Sequence, residues 1–239
     1  MRRIFFLTYL HAMQNLLLLH GAIGAADQLQ PLADALSGNY KVHTLNLSGH
    51  GGRAFPEATF SIPLFATEVL QLMENEGLED MSIFGYSMGG YVAIYLARHY
   101  PERIQKVVTL ATKFHWDEDV AAKEVQMLNA EKIMEKLPAF ATTLKERHAP
   151  NDWRIVLSKT AELLASLGRE NTLKVEDYKA IQVPSLLLLG DRDRMVSLEE
   201  TVTVYKALPN AQMTVLPGTP HPIEQVDTEL LAYFIKRFI

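Results

Sequence analysis

The stretch Met81-Ser82-Ile83-Phe84-Gly85-Tyr86-Ser87-Met88-Gly89-Gly90 decides how this chain folds. An apolar strand runs directly into G-x-S-x-G, and helical spacing of apolar residues then continues to about His99. Glycines on either side of Ser87 let the backbone turn sharply from strand to helix, lifting the serine hydroxyl off the strand end. The helix N-terminus beneath it offers free amides and the positive end of a dipole to a developing oxyanion. Ser87 is therefore the candidate nucleophile, and the plain alternative is a tight turn with no chemistry.

The same unit recurs on both sides of that stretch. Gln14 to Leu19 reads as a buried strand followed by a glycine-containing turn and a helix over Gln28 to Leu36. Lys41 to Leu47 reads as a strand, Phe60 to Asn75 as a helix, and Lys106 to Ala111, Ser185 to Leu189 and Gln212 to Leu216 as further strands. A helix over Asp227 to Ile239 closes the chain. Unbroken apolar strands alternating with helices predict an α/β fold whose mostly parallel sheet is covered on both faces.

Between Ala111 and Ser185 there is no strand signal. Trp116 to Arg147 and Trp153 to Gly168 show helical periodicity, interrupted by Pro138 and Pro150. A long insertion at the carboxyl end of a parallel strand is where lids are built. The expected division is a core of residues 1–112 and 183–239 and a helical cap of residues 113–182, with a purely structural helical subdomain as the bland alternative. Leu128, Ile133, Met134, Leu137, Phe140 and Leu144 are expected to pack on the sheet domain and close a pocket there.

Composition removes several function classes. The 239 residues are 48% hydrophobic and 21% charged, as in an ordinary globular chain. With no cysteine, disulfide frameworks, zinc-cysteine sites and cysteine nucleophiles are excluded. A net charge of −5 and no basic tract argue against nucleic-acid binding. No run approaches the ~18 apolar residues of a membrane span. The start, Met1-Arg2-Arg3 followed by Ile4-Phe5-Phe6-Leu7, resembles a secretory signal, but His11, Gln14 and Asn15 interrupt its apolar body. The expectation is a cytoplasmic protein, with Met13 as a second candidate initiator and the oligomeric state left open.

A nucleophilic serine needs a base, and the chain has 8 histidines. His43 and His99 fall within a strand and at a helix end, where packing or surface roles are expected. His11, His115 and His148 fall in the leader or the insertion and read as solvated. His50 lies in the glycine-rich turn Ser48-Gly49-His50-Gly51-Gly52. His221 differs, because it follows the last strand across Pro217-Gly218-Thr219-Pro220, at the carboxyl end of the sheet. The loop after the preceding strand, Gly190-Asp191-Arg192-Asp193, then supplies an acid and gives the order Ser, Asp, His. Placement alone does not choose between Asp191 and Asp193.

From Gln14 onward the chain resembles the α/β-hydrolase superfamily. His20-Gly21 after the first strand is similar to that family's oxyanion loop, and the match implies that the backbone amides of Ala22 and Met88 form the oxyanion hole. Asn46-Leu47-Ser48-Gly49-His50-Gly51 is similar to its D-x-P-G-H-G loop, from which Asn46 and Ser48 depart. The G-x-x-D pattern implies Asp193 as the acid, with Asp191 a surface or loop-bracing carboxylate. His221 with Glu224 resembles the histidine loop. The family usually begins with a hairpin, for which the leader leaves room for one edge strand.

The resemblance implies a serine hydrolase of a small carboxylic ester or thioester, taking a small-molecule acyl substrate with no cofactor and no metal. Ser87 in place of aspartate argues against haloalkane dehalogenases and epoxide hydrolases. The alternatives are a menaquinone-pathway cyclohexadiene-carboxylate synthase, which typically has arginine where this chain has Tyr91, and carbon–carbon bond hydrolases or perhydrolases with the same triad. A non-catalytic ligand-binding relative would need no such set of Ser, Asp and His.

Overall fold

The structure, a computed structural model, describes residues 13–239. Its strands are β1 (Gln14–Leu19), β2 (Tyr40–Leu45), β3 (Met81–Tyr86), β4 (Ile104–Leu110), β5 (Ser185–Gly190) and β6 (Ala211–Leu216). They form one sheet in the order β2-β1-β3-β4-β5-β6, with every adjacent pair parallel. The expected edge strand and the initiator question concern residues 1–12, outside the described residues.

The helices are α1 (Gln30–Leu36), α2 (Ile62–Asn75), α3 (Met88–His99), α4 (Glu118–Met127), α5 (Ala130–Lys136), α6 (Pro138–His148), α7 (Trp153–Arg169), α8 (Val175–Ala180), α9 (Leu198–Ala207) and α10 (Thr228–Phe238). Alternation along the strands sorts the core into two layers. Leu17, Leu19 and Ile83 pack with Phe65 and Val69 of α2 and Tyr91 and Val92 of α3. Leu16, Leu18 and Phe84 face the other way, onto Leu32 and Leu36 of α1 and Leu231 and Ile235 of α10. Leu16 to Leu19 are fully buried, and each such leucine is worth about 1.5–3 kcal/mol. A run without polar alternation therefore lies inside the sheet, between two neighbours.

Several boundaries shift by one or two residues from the sequence expectation, and two of the shifts bear on the loops at the sheet end. β2 stops at Leu45 rather than Leu47, because Asn46 leaves the ladder: its Oδ1 accepts from Ala26 N at 2.7 Å and its Nδ2 donates to Gly51 O at 3.3 Å. The first helix starts with a 3-10 turn over Ala26–Leu29 before α1.

Between β4 and β5 the described residues form five helices, α4 to α8, with no strand, and the segment's own caps divide them. Asp117, Asn129 and Asp152 accept from Val120, Lys132 and Arg154 amides at 2.8, 2.9 and 3.0 Å, and Pro138 is the first residue of α6. α4 lies along α7, whereas α8 packs on α9 and α3. Ile133, Leu144, Trp153 and Leu157 form a small core within this segment.

Candidate active site

Ser87 occupies the turn between β3 and α3 with φ 50° and ψ −115°. A non-glycine residue there costs on the order of 1–3 kcal/mol and persists only where its surroundings over-determine it. They do so here. Ser87 N donates to Leu110 O of β4 at 2.8 Å, and Ser87 O accepts from Gly90 N at 3.0 Å and from the Thr112 hydroxyl at 3.1 Å. The turn also requires Gly85, since a Cβ there would lie 2.4 Å from the carbonyl carbon and oxygen of Gly89.

The two loops expected to supply base and acid meet at the end of the sheet. Asp193 Oδ2 accepts from His221 Nδ1 at 2.8 Å, while its Oδ1 accepts from Met195 N and Val196 N at 2.8 and 2.9 Å. Burial by itself raises this carboxyl; the hydrogen bond from His221, the two amides and the imidazole charge together hold it below the ordinary carboxylate range. The carboxylate fixes the proton on Nδ1, which leaves Nε2 as an acceptor. Asp191 is elsewhere: its Oδ1 accepts from Thr219 N at 3.1 Å and it lies 3.7 Å from Arg192, a loop-bracing role on the surface. The Tyr86 hydroxyl donates to His221 O at 3.0 Å, tying the base loop to the strand that carries Ser87.

The His20-Gly21 loop abuts Ser87, for a Cβ on Gly21 would lie 3.2 Å from Ser87 Cβ. A bond from Gly24 N to Gly21 O at 3.2 Å closes the turn over Ala22 and Ile23. Met88 opens α3, so its amide has no carbonyl one turn earlier to bond. Ala22 and Met88 line one cavity with Ser87 and His221. Among the described residues no hydrogen bond joins His221 to Ser87; such contacts commonly tighten only around substrate.

The cavity holds about 380 Å³ and lies between the sheet end and the helices that follow β4. Its walls are mainly apolar, with Ile62, Trp116, Leu128 and Leu164 among them, and the Lys113–Glu124 ion pair at 3.3 Å is set into one side. The expectation of a closed pocket is corrected here. Ile133 and Leu144 pack with Trp153 and Leu157 of the same segment, and Ile23 is the residue of the sheet domain that joins this cluster. Leu137 and Phe140 stay 56% and 37% exposed at the cavity mouth, and Met134 is exposed outside the cavity lining.

His148 was expected to be solvated and is instead fully buried. Its ring joins His20 and His50 in a cluster, with centroids 5.8 Å from His50 to His148 and 5.1 Å from His20 to His50. His20 Nδ1 donates to Gly21 O at 2.8 Å and Nε2 accepts from Leu47 N at 3.1 Å; burial lowers its pKa to about 4 against the pull of that carbonyl. His50 Nδ1 donates to Ser48 O at 3.0 Å, a bond within its own glycine-rich turn. Neither Arg147 nor Gln28 was singled out from the sequence. Both meet Glu224 Oε1, at 3.0 and 2.6 Å, and both line the cavity. Among the described residues no group of three or more His, Asp or Glu side chains is gathered as a metal site, and no helix is long and apolar enough to cross a membrane.

A parallel sheet with a strained serine elbow at one strand end and a carboxylate–histidine pair beside it defines the α/β-hydrolase fold, and the chain is an enzyme of that superfamily. Within it, the chain belongs to the serine aminopeptidase S33 family, whose model matches residues 11–227. It is 27% identical to the pimeloyl-[acyl-carrier protein] methyl ester esterase of Aeromonas hydrophila, covering 92% of this chain and 95% of that one. It is 22% identical to the 2-(acetamidomethylene)succinate hydrolase of Mesorhizobium japonicum, covering 94% and 87%. The enol-lactonase structure from Burkholderia xenovorans LB400 superimposes with a TM-score of 0.78 at 18% identity, covering 95% and 91%.

Proposed function

We propose that the protein hydrolyses small to medium carboxylic esters or thioesters through an acyl-enzyme on Ser87. The observation that carries this is the 2.8 Å contact of Asp193 with His221 on the cavity that Ser87 also lines. In this scheme His221 Nε2 takes the hydroxyl proton as Ser87 Oγ attacks the substrate carbonyl. The oxyanion that forms sits against the amides of Ala22 and Met88. Collapse expels the alcohol or thiol, which takes the proton from His221, and water then repeats the sequence on the acyl-enzyme.

The apolar cavity suits the acyl chain, and the helices from α4 to α7 act as the lid that shapes it. The Aeromonas relative, an esterase of a methyl ester, agrees with this chemistry. The lyase alternative finds no support at Tyr91, whose hydroxyl is engaged by Asn171 and accepts from Leu173 N at 2.9 Å.

The test is a fluorophosphonate probe together with p-nitrophenyl esters from acetate to palmitate, applied to the wild type and Ser87→Ala. Labelling of Ser87 and loss of at least about 10⁴ in kcat on its removal are expected. Undiminished labelling or turnover by Ser87→Ala overturns the proposal.

A further inference from the structure

Ile23 has φ 51°, a left-handed conformation that a β-branched residue rarely adopts. It stands immediately after Ala22, in the loop against the nucleophile. Such strain relaxes unless something opposes it, and two contacts from the helical segment do. The Ile23 side chain packs on the cluster of Ile133, Leu144, Trp153 and Leu157. Its carbonyl accepts from His148 Nε2 at 3.0 Å.

The other ring nitrogen of His148 is equally committed, Nδ1 accepting from Gly51 N at 3.2 Å. One buried imidazole at the end of α6 thus bridges the two loops that carry Ala22 and His50. The brace is itself anchored: Asn151, just beyond α6, donates through Nδ2 to Gly49 O and Arg53 O at 3.1 and 2.6 Å. Donating from one nitrogen while accepting at the other requires a neutral ring. Burial first, and then Arg147, lower its pKa, while the Ile23 carbonyl and Asp27 oppose them.

We propose that His148 is a positioning residue for the oxyanion loop, acting through the Ile23 carbonyl to hold the Ala22 amide where it meets the developing oxyanion. This rests on Ser87 being the nucleophile. It also makes the helical segment part of the catalytic apparatus, because the residue that fixes the oxyanion loop comes from α6. Without the bridge, Ile23 is free to leave its left-handed conformation, and the peptide before it turns away from Ser87.

The experiment measures the rate at which a fluorophosphonate labels Ser87, since phosphonylation also places a charged oxygen in that hole and needs no identified substrate. The variants are His148→Leu, His148→Asn and His148→Gln, each checked by its melting temperature. Glutamine can donate and accept as the imidazole does, whereas the shorter asparagine cannot span both partners. Loss of one oxyanion donor costs about 10²–10³ in rate, so displacement of Ala22 should slow the Leu and Asn variants at least about tenfold. The effect should fall on kinact, with KI unchanged, and glutamine should restore the rate to within about threefold of wild type. If His148→Leu does not fold, the Asn and Gln pair decides. A folded Leu or Asn variant labelled at the wild-type rate overturns the role, and so do equal losses in Asn and Gln. A wild type that is not labelled at all overturns Ser87 as nucleophile and the positioning role with it.

Discussion

Asp193→Asn isolates the orienting acid with almost no change of shape. Asp193 Oδ1 accepts two amides, from Met195 and Val196, so the asparagine carbonyl must take that position. Its NH₂ group then faces His221 Nδ1 from the site of the present 2.8 Å contact. A donor now meets that nitrogen, which can answer only by giving up its own proton. The imidazole proton moves to Nε2, and the nitrogen facing the cavity can no longer accept from Ser87. A tautomer inverted in this way costs about 10⁴ in kcat in serine proteases, or about 5.5 kcal/mol of transition-state stabilisation. Asp191→Asn should behave differently, since an asparagine oxygen can still accept from Thr219 N and the exposed pair with Arg192 contributes at most about 1 kcal/mol to stability, so its kcat should stay close to wild type. The assay is kcat on p-nitrophenyl butyrate at pH 8 for both variants, with a melting curve for each. If Asp191→Asn is the crippled enzyme, or folded Asp193→Asn keeps more than about a tenth of wild-type kcat, the assignment of the acid fails.

Acid should destabilise the fold through His20, whose pKa falls from 6.5 when unfolded to about 4 when folded. Below pH 6.5 the unfolded chain takes up a proton that the folded one refuses, so roughly 2 kcal/mol should be lost by pH 5 and roughly 3 kcal/mol below pH 4. His50 and His148 add in the same direction, and urea unfolding at pH 7 and pH 5 with equal free energies would exclude this. Gly85→Ala places a Cβ 2.4 Å from the Gly89 backbone, so it should lose more than the ~1–3 kcal/mol of ordinary overpacking; soluble protein with an unchanged melting temperature contradicts the elbow geometry. Phe140→Ala opens the cavity mouth without disturbing a core, so stability should shift by no more than ~0.5 kcal/mol. Its kcat/KM for hexanoate relative to acetate esters should fall by roughly four- to tenfold, and an unchanged ratio would place the acyl chain elsewhere.

What the sequence made legible was the part of the molecule whose information is local. The elbow could be read because Gly85, Ser87 and Gly89 lie within a few residues of one another and the turn needs all of them. The loops that carry Asp193 and His221 could be brought together because each follows a strand end, and a parallel sheet brings all its strand ends to one side; the choice of Asp193 over Asp191 comes from the G-x-x-D resemblance and not from placement. The helical segment was legible as helix, and only partly as packing. Apolar spacing says that a helix face is covered but not by what, and here Ile133 and Leu144 are covered by Trp153 and Leu157. That leaves Leu137 and Phe140 at the cavity mouth instead of against the sheet. His148 fails for a stronger reason. A histidine in the last turn of a helix is well placed to complement the dipole in solvent, and nothing near it in sequence says otherwise. Its partners, Ile23 and Gly51, are 125 and 97 positions away. Only the left-handed Ile23, invisible in a string of letters, makes that buried ring more than packing.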